Sequence, residues 1–132
     1  MASMELVRVP TLTQEVPYAY AAVAPGGIVY AAGACPLDED GFVASPGDVA
    51  AQAERVMRNL EQALHASECD LVDVLKTTVY VASSDRADLV AAWNVVRAAF
   101  GDHDPPSTLL GVAVLGYPDQ LVEVEAVAVR PA

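Results

Sequence analysis

Residues 121–129 constrain the fold of this chain more than any other segment. They read Leu-Val-Glu-Val-Glu-Ala-Val-Ala-Val, and side chains in a β-strand alternate between the two faces of a sheet. One face of such a strand carries only valine and alanine. The other face carries Glu123 and Glu125, about 7 Å apart, and continues with Val127 and Val129. The segment therefore predicts a sheet with one apolar face and one mixed face.

The two glutamates have two interpretations at this level. Acidic side chains are mostly exposed, so they are consistent with the wet outer face of a sheet. A carboxylate on a half-apolar surface is also suited to act as a base or an acid near neutral pH. The strand alone leaves both interpretations open.

The composition indicates one folded domain that spans residues 1–132. A hydrophobic share of 54% and a charged share of 19% exclude a disordered chain. So short a chain has limited interior volume for its apolar residues, although many of them are alanine. We therefore expect a homo-oligomer that buries part of this surface between subunits.

The formal net charge of −11 argues against nucleic acid and anionic membranes as partners. The seven lysine and arginine residues form no stripe that could follow a phosphate backbone. The uncharged stretch 16–37 is interrupted by proline and glycine and predicts strands and turns rather than a membrane span. With no basic, apolar leader at the N-terminus, we expect a cytoplasmic protein in which Cys35 and Cys69 are free thiols.

Periodicity and turn residues predict an α+β domain in the order β-β-β-α-β-α-β-β. The expected fold is a single sheet of about six strands with two helices packed on one face. The predicted strands are 6–9, 18–23, 28–32, 76–81, 108–115 and 121–129, and the predicted helices follow Ser45 and Ser84 or Asp85. The second helix is expected to end at Gly101.

The first helix has the clearer signals. Ser45 is the candidate N-cap, Pro46 suits the first helical position, and Asp48 complements the positive end of the helix. Apolar residues recur every three or four positions from Val49 onward. The polar residues, Gln52 among them, are assigned to the solvent side.

Several short segments resemble the Rid (reactive intermediate deaminase) or YjgF-type family. None of them is diagnostic alone, but their order and spacing match the predicted topology over nearly the whole chain. They are Pro17-Tyr18, Ala32-Gly33, Val49-Ala-Ala-Gln52, Val74-Leu-Lys-Thr-Thr-Val79, Trp93-Asn94, Gly111-Val112 and Val122-Glu-Val-Glu-Ala-Val127.

The resemblance implies a chorismate-mutase-like fold that assembles as a homotrimer, with ligand clefts between subunits. Family members hydrolyse reactive enamines and imines to ammonia and a 2-keto acid without a metal or another cofactor. In the family an arginine at the start of the penultimate strand clamps the substrate carboxylate. We therefore expect a small-molecule substrate or ligand and neither cofactor nor metal.

The family's site residues correspond to positions of this chain one by one. Glu123 matches the glutamate that orients or activates water, Tyr18 matches a tyrosine of the cleft wall, and Gly33 matches a position whose N–H faces the ligand. The remaining expected substrate-binding residues are Ala32, Asn94, Ser107, Thr108, Leu109 and Tyr117. For Asn94, the alternative to substrate binding is a structural role.

Two departures from the family pattern bear on the substrate. Ser107 or Thr108 stands where the family arginine is expected, and Ala32 stands where many members have serine. A hydroxyl group can hydrogen-bond a carboxylate but cannot balance its charge. The leading hypothesis is therefore hydrolysis, or a related proton transfer, on a small imine or enamine other than a simple 2-imino acid. A trimer that binds a small ligand without catalysis is the alternative, and a ribonuclease ranks last.

Overall fold

A computed structural model describes residues 3–132 of the protein, so the first two residues of the expected domain lie outside the described part. Six strands, two α-helices and a short 3-10 helix at Leu71–Asp73 follow one another along the chain. The strands are β1 Glu5–Val7, β2 Ala21–Val23, β3 Ile28–Ala31, β4 Val74–Val81, β5 Ser107–Gly111 and β6 Val122–Val129. The helices are α1 Val49–Ala66 and α2 Arg86–Phe100.

All six strands form one sheet in the order β1-β2-β3-β6-β4-β5. Neighbouring strands are antiparallel, except that β4 and β5 are parallel because α2 crosses over between them. The predicted α+β class, element order and mixed pairing are confirmed. The central position of β6 places its two glutamates in the middle of the sheet.

The hydrophobic core lies between the sheet and the two helices. Val122, Val124 and Ala128 on β6 are fully buried, and they belong to one core cluster with Val56 and Leu60 of α1. The alternation that sequence analysis found in β6 is present, with every second residue buried. Burial of these side chains fixes which face of β6 meets the helices, and therefore which face carries Glu123.

The start of α1 differs from the prediction. Asp48, not Ser45, is the N-cap, and its side chain accepts a hydrogen bond from the Ala51 N–H. Ser45 and Gly47 have positive φ values of 50° and 82°, and a hydrogen bond from the Asp48 N–H to the Ser45 carbonyl closes a turn. This turn delays the helix by three residues, so the Ser45 assignment was wrong.

Gln52 was also assigned to the wrong side of α1. It is fully buried, and its side-chain nitrogen donates to the carbonyls of Ser45 and Asp119. Its side-chain oxygen accepts from the Leu121 N–H. The amide is tolerated in the interior because both of its polar atoms have partners.

Other boundaries differ from the predicted ones by a few residues. The strand predicted for 18–23 begins only at Ala21, and the strand predicted for 108–115 ends at Gly111. Asp85 caps α2 through the Ala87 N–H, and Gly101, with φ of 63°, follows its last residue as predicted. The shortened β2 and β5 leave loop residues free to form the walls of a cleft.

An irregularity separates β3 from the segment that follows it. Tyr30 pairs with Val127, whereas Ala34 pairs with Val124, so four residues on one side oppose three on the other. This extra residue is a β-bulge, a feature that redirects side chains and is frequent next to active sites. It places Gly33 beside Glu123.

The sheet face opposite the helices is not covered within the described chain. Tyr30 and Leu110 on this face are 57% and 44% exposed. Val127 and Thr78 lie beside them in the paired strands. None of the helices formed by residues 3–132 has the length and apolarity needed to cross a membrane.

Candidate functional site

A cleft of about 550 Å³ opens where the bulge after β3 meets the first residues of β6. This volume lies in the range of small-molecule sites. Its lining residues are Pro17, Tyr18, Ala32, Gly33, Cys35, Gly116, Tyr117 and Glu123. Glu123 is the one charged side chain among them.

The two carboxylate oxygens of Glu123 have different surroundings. Oε1 accepts hydrogen bonds from the Cys35 thiol, at 3.3 Å, and from the Gln120 side-chain amide, at 3.1 Å. Oε2 has no hydrogen-bond partner within the described chain and lies next to Gly33. One oxygen is thus held by the protein and the other is available to a ligand.

Gly33 is required by the close approach of Glu123. A Cβ atom added at Gly33 would lie 2.9 Å from Glu123 Cγ and would overlap the carboxylate itself. Real Cβ atoms do not come so close to a neighbouring group. The absent side chain therefore lets the Glu123 carboxylate pack against the backbone of the bulge.

A tight turn before β6 orients Gln120. The Tyr117 N–H donates to Gln120 Oε1, and the Gln120 N–H donates to the Tyr117 carbonyl, both at 3.1 Å. With its side-chain oxygen occupied, Gln120 directs its amide nitrogen to the Val122 carbonyl and to Glu123. Gln120 is only 3% exposed, so the donor to Glu123 is shielded from water.

The Cys35 thiol remains a protonated donor at neutral pH. Burial, the neighbouring Glu123 charge and the hydrogen bond to that carboxylate raise the pKa of Cys35 to about 12. Asn59 of α1 fixes the backbone around the thiol, because its amide nitrogen donates to the carbonyls of Cys35 and Leu37, both at 2.9 Å. The thiol is therefore a hydrogen-bond donor rather than a nucleophile.

Two tyrosines line the cleft together with Glu123. The hydroxyl groups of Tyr18 and Tyr117 are 3.1 Å apart, and the Tyr18 ring stacks edge-on against Tyr20. Burial and the hydrogen bond to Tyr117 raise the pKa of Tyr18 well above its usual range. One of the two hydroxyl protons is used between the tyrosines, so the pair can offer one O–H donor to a ligand.

The structure brings five of the nine predicted site residues together. Tyr18, Ala32, Gly33, Tyr117 and Glu123 line the same cleft.

The other four predicted site residues lie elsewhere on the protomer. Asn94 lies exposed in a groove between α1 and α2. Ser107 bonds the Thr77 hydroxyl, and Leu109 packs against the core. Thr108 accepts a hydrogen bond of 2.6 Å from Lys76 Nζ on the open sheet face.

Sequence analysis missed Cys35 and Gln120 as parts of this site. Cys35 was predicted to be a free thiol, inert or reactive, and it and Cys69 are indeed unpaired and buried. Gln120 lies three residues before Glu123, in a turn whose geometry the residue types do not specify. The presence of thiol and amide at Glu123 depends on the bulge and the turn, neither of which leaves a periodic signal.

The two histidines take local structural roles. His65 pairs with Asp70 at 3.0 Å near the end of α1, and His103 Nε2 bonds the Val74 carbonyl at 2.8 Å. Among residues 3–132 no three His, Cys, Asp or Glu side chains are grouped in a way that could hold a metal ion.

The single mixed sheet with two helices on one face, and a glutamate at its centre, defines a chorismate-mutase-like α+β protein of the YjgF type. A family model described as "Endoribonuclease L-PSP" matches residues 10–130. The chain belongs to this family, which also includes the proteins called YjgF, RutC and Rid.

Relatives within the family carry deaminase names. The chain is 31% identical to 2-iminobutanoate/2-iminopropanoate deaminase of Rattus norvegicus, over 77% of this chain and 72% of the relative. It is 33% identical to 3-aminoacrylate deaminase RutC of Acinetobacter baylyi, over 76% and 78%. The crystal structure of the YjgF gene product from E. coli superposes with a TM-score of 0.82 at 30% identity, over 96% of this chain and 99% of that one.

Proposed function

We propose that this protein hydrolyses a small, uncharged imine or enamine to a carbonyl compound and ammonia. The observation that carries the proposal is the asymmetric environment of Glu123, whose Oε1 is held by two donors while Oε2, beside Gly33, has no hydrogen-bond partner among residues 3–132. A fixed carboxylate with one free oxygen is suited to take a proton from water. The deaminase names of the relatives support the same reaction class.

The reaction requires only positioning and proton transfer. Water attacks the carbon of the C=N bond, one water proton passes to Glu123 Oε2, and Glu123 delivers this proton to the nitrogen, which gives a neutral carbinolamine. In the second step Glu123 Oε2 takes the proton of the carbinolamine hydroxyl group and passes it to the amino nitrogen. The C–N bond then breaks, ammonia leaves with the bonding electron pair, the hydroxyl oxygen becomes the carbonyl oxygen, and the carboxylate is regenerated.

The charge of the cleft favours an uncharged substrate. No lysine or arginine is among the lining residues within the described chain, and the cleft already holds the Glu123 carboxylate. A substrate with its own carboxylate would place a second negative charge near the first without a cation to balance it, which costs free energy. The two relatives are named for substrates that carry carboxylates. The proposal therefore assigns this chain a different substrate class.

The proposed working form is a homotrimer with its clefts between subunits. The uncovered sheet face exposes Tyr30 and Leu110, as a surface between subunits would in the isolated chain. Asn94, Ser107, Thr108 and Leu109 lie away from Glu123 in the protomer. In the trimer we propose that Ser107 and Thr108, at the start of the edge strand β5, reach the cleft of a neighbouring subunit, whereas Asn94 and Leu109 stay on the helix side of the sheet.

Ammonia release from small imines generated in solution tests the proposed reaction. The panel pairs imines that carry an α-carboxylate with imines that lack one, and compares wild type with Glu123→Gln. We expect turnover of the carboxylate-free imines and a loss of about 10²-fold or more in Glu123→Gln. Glu125→Gln is the matched control, because Glu125 shares the sheet face but bonds Tyr80 at 2.6 Å and does not line the cleft.

The alternatives predict other results. If wild type turns over no imine while a panel compound raises its melting temperature, the cleft belongs to a binding protein. Ribonuclease activity is disfavoured by the net charge of −11, which opposes binding of a polyanion. RNA cleavage that persists through repeated purification and is lost in Glu123→Gln would reverse that ranking.

A further inference from the structure

Glu123 Oε1 is held by donors from two different segments. The Cys35 thiol comes from the loop after β3, and the Gln120 amide comes from the turn before β6. Neither donor moves freely, since Cys35 is 9% exposed and Gln120 is 3% exposed. Removal of either donor would leave Oε1 partly unsatisfied and would let the carboxylate rotate.

Side chains on one face of α1 form hydrogen bonds with both of these segments. Asn59 donates to the carbonyl of Cys35, and Gln52, two helical turns earlier, bonds Asp119 and Leu121 on either side of Gln120. Gln52 is fully buried and Asn59 is 6% exposed. The rigid helix thus sets the spacing between the two groups that hold Glu123.

We propose that Cys35 is a positioning residue. Its thiol and the Gln120 amide together hold Glu123 Oε1 in place by hydrogen bonds, so that only Oε2 contacts the ligand. The functional part of this inference rests on the proposed reaction, whereas the contact itself does not. Cys35 acts here as a donor throughout and forms no covalent bond to substrate.

The groups around the thiol agree with this role. Glu123 is the one charged side chain beside Cys35 in the cleft, and the nearby tyrosines are Tyr18 and Tyr117, which line the same cleft, and Tyr20, whose ring packs edge-on against Tyr18. The nearby negative charge keeps the proton on sulfur, and the proton in turn stabilises the carboxylate. A thiol in such surroundings is a poor nucleophile.

Infrared spectroscopy tests the contact without any substrate. The S–H stretch of a thiol moves to lower frequency when the thiol donates a hydrogen bond, and a Cys69→Ala background leaves Cys35 as the sole thiol. We expect a low-frequency S–H band in this protein and a shift to higher frequency when Glu123→Gln removes the charged acceptor. An S–H band unchanged by Glu123→Gln would overturn the inference, whatever the activity.

Steady-state kinetics test the positioning role. Cys35→Ala should lower kcat about tenfold with a smaller change in KM, because the proton acceptor is displaced while the cleft remains open. Cys35→Ser, which keeps a donor, should recover most of the lost kcat, and Cys69→Ala should match wild type. Equal kcat in Cys35→Ala and wild type would overturn the positioning role.

The two measurements separate the failures. Suppose that wild type shows no turnover while the low-frequency S–H band responds to Glu123→Gln. This result contradicts the proposed reaction but supports the hydrogen bond from Cys35 to Glu123. Turnover that depends on Glu123 but not on Cys35 contradicts the positioning role of Cys35 and leaves the proposed reaction in place.

Discussion

At the scale of single residues, the cleft depends on close contacts that tolerate little change. Glu123 Cγ and its carboxylate lie against the backbone of Gly33, and one oxygen is held from the other side by Cys35 and Gln120. A displacement of about 1 Å at a reacting group can lower a rate about 10²-fold. The position of the Glu123 carboxylate therefore depends on the small size of Gly33 as much as on the two hydrogen-bond donors.

Replacement of Gly33 tests this packing. We expect Gly33→Ala to lose about 1–3 kcal/mol of stability, because its Cβ overlaps the Glu123 carboxylate, and to lower ammonia release by tenfold or more. Gly116→Ala is the control, since Gly116 lines the same cleft but a Cβ there meets no atom within 4 Å. Denaturant unfolding and the ammonia assay measure both effects. Equal stability of the two variants would contradict the close approach.

At the scale of elements, α1 connects the core to the site. Its apolar residues pack on the buried face of β6, while two buried amides, Gln52 and Asn59, bond the segments before and beside Glu123. Both amide nitrogens donate to loop carbonyls, and Gln52 Oε1 also accepts from the Leu121 N–H, so the helix holds these loops in one conformation more strictly than loop packing alone. Because α1 is itself held by the core, its hydrogen bonds fix the positions of loop residues that have no regular structure.

Replacement of Gln52 tests the connection. Gln52→Leu keeps a similar volume but leaves the carbonyls of Ser45 and Asp119 and the N–H of Leu121 without this partner. We expect a loss of about 1–3 kcal/mol in the free energy of unfolding, because the Leu121 N–H and the Asp119 carbonyl lose their partner, whereas the Ser45 carbonyl keeps the Asp48 N–H. Gln62→Leu, on the same helix and only partly buried, should change stability by less than about 0.5 kcal/mol. Similar losses in both variants would mean that the Gln52 bonds contribute little.

At the scale of the whole molecule, the sheet has one face packed by helices and one left open. Tyr30, Val127 and Leu110 are apolar or aromatic side chains on the open face, in a protein whose net charge of −11 otherwise keeps molecules apart. Association through such a face buries apolar area. The free energy gained by this burial must exceed the free energy of repulsion between like charges. The proposed trimer should therefore become more stable as salt screens the charge.

Light scattering tests the assembly. We expect wild type at micromolar concentration to have the mass of three chains and Val127→Asp, which places a charge in the centre of the open face, to dissociate. Val72→Asp is the control, because Val72 is 67% exposed and belongs to the 3-10 helix rather than to a strand of the open face. A monomeric wild type, or an intact trimer in Val127→Asp, would contradict assembly through this face.

The sequence by itself determined the parts of this protein that depend on local pattern. The alternation in 121–129 predicts the buried and open faces of β6, and the spacing of apolar residues predicts both helices. The resemblance to the Rid family locates Glu123, Gly33 and Tyr18. These signals are readable because neighbouring residues of one element share one environment.

Only the tertiary structure decided how Glu123 is held. The turn at Ser45 moves the helix start to Asp48, the bulge after Tyr30 brings Cys35 to Glu123, and the buried face of α1 turns Gln52 inward. The turn at Ser45 is local, whereas the contacts of Cys35 and Gln52 join residues far apart in the chain, so their geometry depends on strand register and helix packing rather than on residue type. A polar side chain such as Gln52 is buried where distant backbone groups offer it partners, and no local pattern reveals those partners.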